Sequence, residues 1–220
     1  MTSTYLSVAS PVYRHFEPEF VHGITTLGRV LNHRAHVEFG IVQGDSLLER
    51  ARNTLVHNFK KRSEELQMDE AYLLFIDADT VFAGVDILSI LDIADSLENR
   101  EFIIGTQIPQ RIVKRATAEN PRETDVSPSL YEVDSVGMGF TLISAQAIRK
   151  TEESCDWFNG RSGDLVARFF HNSLDSTTND LHGEDITFCI KARKMGVPVY
   201  VAKNIFPGHV TTGVKTFEYD

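Results

Sequence analysis

The stretch YLLFIDADTVF, residues 72–82, decides the fold. The run AYLLFI, residues 71–76, is apolar or aromatic at every position rather than at alternate ones. That pattern predicts a strand covered by helices on both faces. The strand ends on Asp77, and Asp79 follows two residues later. Side chains at i and i+2 of an extended chain point the same way. Both acids are therefore expected at one spot on the carboxyl edge of the sheet, where open α/β folds bind ligands. Two carboxylates so placed repel each other unless a cation or donors stand between them. A hard divalent ion, Mg²⁺ or Mn²⁺, suits oxygen ligands of this kind. The plainer reading is a strand-to-turn junction, where Asp is common for local reasons.

Working outward, residues 4–9 (TYLSVA) predict a first strand, closed by the turn signal SPVY. Phe20, Ile24, Leu27 and Leu31 then recur at helical spacing. HVEFGIV, residues 36–42, predicts a second strand. The following helix carries a capping-box signature from Ser46 to Glu49. After residues 72–82 come an amphipathic helix, VDILSILDIADSL, and a fourth strand, EFIIG, residues 101–105. This alternation predicts a mostly parallel, Rossmann-like central sheet flanked by helices. The segment 109–132 is polar, contains prolines and lacks a period, and predicts a long functional or mobile loop. Further on, GMGFTLIS (137–144) reads as a strand entered through glycines. EDITFCIKARKMG (184–196) reads as a helix with acids first and bases late. VPVYVA (197–202) predicts the last strand.

The totals bound the function. The chain has 220 residues, enough for one domain with a real core. Its 31 Asp and Glu outweigh 22 Lys and Arg, for a net charge of −9, which argues against a broad nucleic-acid surface. The two cysteines, Cys155 and Cys189, form no C-x-x-C pair, so the chain reads as a reduced, cytoplasmic protein without structural zinc. The start lacks a charged segment leading into a long apolar run, and no stretch approaches the length of a membrane span.

Several motifs, taken in order, resemble those of the GT-A fold glycosyltransferases. They are ARNTLVHNF (51–59), the D-x-D of residues 77–79, VGMGFTLIS (136–144), GEDITF (183–188) and FPGHVTTG (206–213). The resemblance covers roughly residues 4 to 213. It also extends to compact glycosyltransferase domains of large DNA viruses of algae, which would place the chain in a host cytoplasm. It implies one GT-A domain over 1–220, with a nucleotide-binding half over about 1–105 and an acceptor and metal half over about 106–220. The implied activity is transfer of a hexosyl or deoxyhexosyl group from a UDP-sugar to a hydroxyl of a glycan or glycoprotein acceptor. The implied cofactor is Mn²⁺ or Mg²⁺.

The resemblance also implies roles. Asp79 and His209 would bind the metal, and Asp77 would hold the ribose or a metal-bound water while sharing the ion. Ala78 sits between the two acids. Ser10, Pro11 and Tyr13 would cradle the base, although a plain β-to-α turn explains them equally. Gly44 and Asp45 would meet base or ribose. Arg50, Arg52 and Asn53 offer donor contacts, because a guanidinium fork matches phosphate oxygens. Two residues apart on a helix, the two arginines do not share a face, so at most one points into the site. Gly137 and Gly139 would lie near the donor sugar. Asp185, with Glu184, would take the acceptor proton, or, if configuration is retained, orient the acceptor. The helix dipole alone also favours acids there. Trp157 reads as a sugar platform or as core, and Arg111, Lys114 and Arg115 as a lid or a solvated charge run.

Three other functions compete. DADTV also opens the motif of haloacid-dehalogenase phosphatases, with Asp77 as nucleophile, but that motif usually lies on the first strand. A sugar nucleotidyltransferase would want a glycine-rich basic loop where SPVYRH stands. A non-catalytic nucleotide-sugar-binding module would keep the metal site without turnover.

Overall fold

The computed structural model describes residues 4–31, 34–68, 70–108, 118–210 and 214–215. Its first half alternates β1 (Thr4–Val12), α1 (Pro18–Val30), β2 (Ala35–Gln43), α2 (Leu48–Leu66), β3 (Glu70–Ile76), β4 (Thr80–Val81), α3 (Gly84–Ser96) and β5 (Ile103–Gly105). The second half holds β6 (Ala118–Glu119), β7 (Arg122–Glu123), β8 (Leu130–Glu132), β9 (Ser135–Val136), β10 (Phe140–Ser144), α4 (Ala145–Glu152), β11 (Trp157–Asn159) and β12 (Leu165–Ala167). It closes with β13 (Ser173–Leu174), β14 (Leu181–His182), α5 (Glu184–Lys194), β15 (Val199–Ala202), β16 (Gly208–Val210) and β17 (Val214–Lys215).

The fold is α/β. A central sheet runs in the order β2-β1-β3-β10-β5-β15-β8-β7. Neighbours β2, β1 and β3 are parallel, as are β5 and β15. β10 is antiparallel to both β3 and β5, and so lies reversed between them. This reversal positions the site. Phe140 pairs with Ile76, so the glycine-rich entry to β10 arrives beside the residues that follow β3.

β3 is covered on both faces, as its apolar run predicts. Leu73 and Phe75 join a core with Leu55, Phe59 and Phe170. Tyr72, Leu74 and Ile76 join a second core with Leu27, Ile87 and Ile90 on the α1 and α3 side. β2 differs. It has the same apolar look, yet none of its nine residues is buried, because it is the outermost strand.

Other expectations needed correction. β1 does not stop at residue 9 but continues through Pro11 to Val12. Its register with β3 ends at Ala9 while that with β2 continues, so Pro11 falls where β1 has a partner on one side only. The Ser46–Glu49 capping box does not form. α2 begins at Leu48, and the Leu47 N–H donates instead to Asp45 Oδ1 (3.0 Å), while Glu49 accepts from the Asn172 N–H. The segment 118–132 is not a plain loop, since it supplies β6, β7 and β8. The lid residues Arg111, Lys114 and Arg115 lie outside the described residues. α4 was not expected. Its N-cap is Ser144, whose side chain accepts from the Ala147 N–H at the end of β10. Among the described residues no helix is long and apolar enough to cross a membrane.

Candidate functional site

The carboxyl edge of β3 is where distant parts of the chain converge. The Asp77 N–H donates to Gly139 O (3.1 Å), and Thr80 Oγ1 donates to the same carbonyl (2.9 Å). A Cβ at Gly139 would stand 2.9 Å from Ile108 Cδ1 and 3.5 Å from Asp77 Oδ2. Glycine thus lets the β10 entry approach the Asp77 carboxylate closely. Gly137 lies further back, its carbonyl accepting from Thr141 Oγ1.

Asp79 faces a different neighbour. β16 pairs antiparallel with β4, His209 opposite Thr80, and the Val210 N–H donates to Asp79 O (2.9 Å). This register brings His209 Nε2 to 3.2 Å from Asp79 Oδ2. The expected meeting of Asp79 with His209 is therefore present in the geometry. Asp77 is not part of it. Both its oxygens accept from Arg52 Nη2, at 3.0 and 3.3 Å. Among the described residues no group of three or more His, Cys, Asp and Glu is disposed to hold a metal ion.

Arg52 is the hub on the other side. It is only 3% exposed and lies on the buried stripe of α2 with Leu55, Val56, Phe59 and Ser63. One terminal nitrogen reaches Asp77 and the other donates to Glu184 Oε1 at the start of α5. Burial alone would lower the Arg52 pKa, but the neighbouring Asp77 and Glu184 charges raise it above the ordinary value. Burial raises the Glu184 carboxyl; Arg52 opposes the shift, and Asp185 adds to it. Arg52 is thus an internal cation whose two terminal nitrogens are both paired, with its buried Nε making no hydrogen bond among the described residues, and not an open phosphate fork. Asp185 is half-buried, and its Oδ1 accepts from the Ile186 N–H in the first turn of α5.

Three further expectations change. Asn53 is buried, donating through Nδ2 to Phe170 O and accepting through Oδ1 from the Phe170 N–H, both at 2.8 Å. Its amide is spent on holding that backbone and does not face a donor. Arg50 turns away from Arg52, as the helical spacing requires, and forms a two-point pair with Asp45 at 2.7 Å for both bonds. Asp45 is in turn committed to Arg50 and Leu47 rather than to a base or ribose, and Gly44, at φ +72°, closes the turn by donating to Val12 O. Ser10 is buried on the α1 face of β1 and does not line the cavity at the acids.

That cavity, of about 380 Å³, is walled by Pro11, Tyr13, Arg14, His15, Glu17, Leu48 and Asp77 to Asp79. Tyr13 is exposed, and the Arg14 guanidinium lies 5.7 Å from its ring centre. Arg14 is the cation that sequence reasoning missed. Its signal was the basic pair directly after a strand-end aromatic, in YRH.

The Asp45 contact predicts a stability effect. The Arg50 hydrogen bond, opposed by burial and aided by the Leu47 N–H, holds Asp45 below the usual carboxylate range. A depressed folded value stabilises the protein above the unfolded pKa, and the gain is lost as pH falls through the folded value. Asp45→Asn keeps an oxygen for the Leu47 N–H but loses the ion pair with Arg50, and is expected to cost about 1 kcal/mol at neutral pH, the upper scale of a partly exposed pair. Thermal melts of the two proteins should differ fully at pH 6 and converge as the pH falls below about 4.

No protein-family model matches the chain, and no curated protein matches it. Solved structures do. A197 from STIV is 15% identical, with a TM-score of 0.59 over 94% of this chain and 86% of that one, which shows a shared fold. A glycosyltransferase involved in glycosylation of the major capsid of PBCV-1 is 13% identical, with a TM-score of 0.36 over 68% of this chain and 65% of that one. S. aureus TarS 1–349 is 11% identical, with a TM-score of 0.49 over 91% of this chain and 58% of that one. Of these three, the first bears on the fold.

Proposed function

We propose that the chain is a metal-dependent glycosyltransferase of the GT-A type. It transfers a hexosyl or deoxyhexosyl group, such as glucose, galactose or rhamnose, from a UDP-sugar to a glycan hydroxyl. The observation that carries this reading is Asp79, which lines one cavity with Tyr13 and Arg14 and lies against His209. An aromatic face, a cation and an acid on one cavity, with an imidazole against that acid, match a base, a diphosphate and a divalent ion.

The donor set fits such an ion in part. Asp79 and His209 supply an oxygen and a nitrogen, which favours Mn²⁺ over Mg²⁺, and the diphosphate would have to supply further oxygens. When bound, the ion neutralises charge on the departing diphosphate. The protein's own groups do the rest. Arg14 meets the phosphates, Tyr13 stacks on the base, and Arg52 holds Asp77 and Glu184 in place. Asp185, at the start of α5, accepts the acceptor proton. A phosphatase reading would need Asp77 as a free nucleophile, whereas both of its oxygens are engaged by Arg52.

Thermal shift with a panel of nucleotide sugars, with and without Mn²⁺, tests the proposal. A ligand at 100 times its Kd should add about 2.7 kcal/mol of stability. Asp79→Ala is expected to remove the Mn²⁺-dependent part of that shift. An undiminished shift in the variant would sink the metal assignment.

A further inference from the structure

We propose that the exposed edge of β2 pairs with the same edge of a second copy of this chain, antiparallel and centred on Phe39. β2 is the terminal strand of the central sheet, so its outer row of backbone groups has no partner strand among the described residues. It is nine residues long, yet no residue in it is buried. Phe39 and Ile41, on the same face, are 49% and 52% exposed. Long apolar edges invite strand addition, and proteins usually blunt them with Lys, Pro, a bulge or a covering element. β2 contains no Lys and no Pro, and its register with β1 runs unbroken from Ala35 to Gln43. Its one acid, Glu38, is already neutralised by Arg62 of α2, which donates to both of its oxygens. In a protein of net charge −9, this edge therefore lacks the repulsion that keeps copies apart elsewhere.

The sequence of β2 favours itself as the occupant. Full overlap of the strand with an antiparallel copy is symmetric about its midpoint, Phe39. In that register Val37 faces Ile41 of the copy, Phe39 faces Phe39, and Glu38 faces Gly40. No like charges stand opposite one another, and apolar side chains meet on one face. The two-fold symmetry closes the contact, so it yields a dimer and not a fibre. An apolar cavity of about 170 Å³ lies beside this edge, between Phe20 and Ile24 of α1 and Phe39 and Ile41 of β2. The paired strand would roof its open side. The inference is independent of the reaction proposed above, because β2 contributes no residue to the cavity at Asp77 and Asp79.

Sedimentation velocity and light scattering over a range of concentrations test it. The chain is expected at twice its monomer mass, and Phe39→Lys, which sets two ammonium groups face to face, is expected at monomer mass with the circular-dichroism spectrum of the folded parent. Register is read by oxidative crosslinking in a Cys155→Ser background. Phe39→Cys should give a disulfide-linked dimer, since directly opposed residues lie within disulfide reach. Gln43→Cys should not, because the two introduced thiols would sit about 27 Å apart along the strands. A monomer at every concentration would overturn the proposal and leave the edge to a different protein. A dimer that survives Phe39→Lys, or that crosslinks through position 43 and not 39, would overturn it equally.

Discussion

Arg52→Met is expected to lower the melting temperature by roughly 6–20 °C. The side chain is 3% exposed and bridges Asp77 and Glu184. Removing one partner of a buried ion pair costs about 3–5 kcal/mol, because the remaining charge is left without compensation. For a chain of this size each kcal/mol moves the melting point by about 2–4 °C. Here two carboxylates would be stranded at once, with Asp185 close by. The mechanism makes a second demand. Adding Glu184→Gln and Asp77→Asn to Arg52→Met removes the stranded charges and should recover part of the loss, since the sites interact and their effects do not add. Arg52→Lys keeps the charge but cannot span both acids with a planar fork, and should fall between. Melts followed by circular dichroism decide the matter. A single variant within about 2 °C of the parent would mean that the bridge does not hold the site together.

Arg52 also shows how far the sequence could be read. Its position on the buried stripe of α2 was legible, because residues 52, 55, 56, 59 and 63 share one face. Its partners were not. Asp77 and Glu184 lie 25 and 132 residues away, and only the packing of α2 under β3 and the start of α5 brings them together. The arginine therefore looked like a phosphate ligand, when its charge is consumed inside the protein. Asn53 was misjudged for the same reason, since nothing local announces a pairing with Phe170. His209 was singled out by its place in the order of motifs, and the pairing of β16 with β4 sets it against Asp79. The βα alternation of the first half was legible from periodicity. The edge position of β2 was not, because an apolar run looks the same whether helices cover it or solvent does. The reversed β10 was also hidden. Its residues state that they are buried, not in which direction they run.

These contacts divide the two acids at the head of α5. Glu184 is tied to the guanidinium, and burial raises its pKa. Asp185 keeps its place through the Ile186 N–H of its own helix, while the terminal nitrogens of Arg52 bond to Asp77 and Glu184. If Asp185 accepts the acceptor proton, Asp185→Asn should lower turnover by roughly 10²–10⁴-fold, the usual contribution of a positioned base. The amide keeps the size of the side chain and cannot take a proton at neutral pH. Donor binding should persist, because the cavity proposed for the donor includes Tyr13, Arg14 and residues 77–79 but no residue of α5. Glu184→Gln should show the opposite pattern, with a lower melting temperature and a smaller loss of turnover. Release of UDP from a donor panel, with and without glycan acceptors, measures turnover, and calorimetry measures donor binding. Full turnover in Asp185→Asn alongside a dead Glu184→Gln would reverse the assignment. Mn²⁺-dependent donor binding with no release of UDP by the parent protein, over the full panel, would instead make the chain a nucleotide-sugar-binding module.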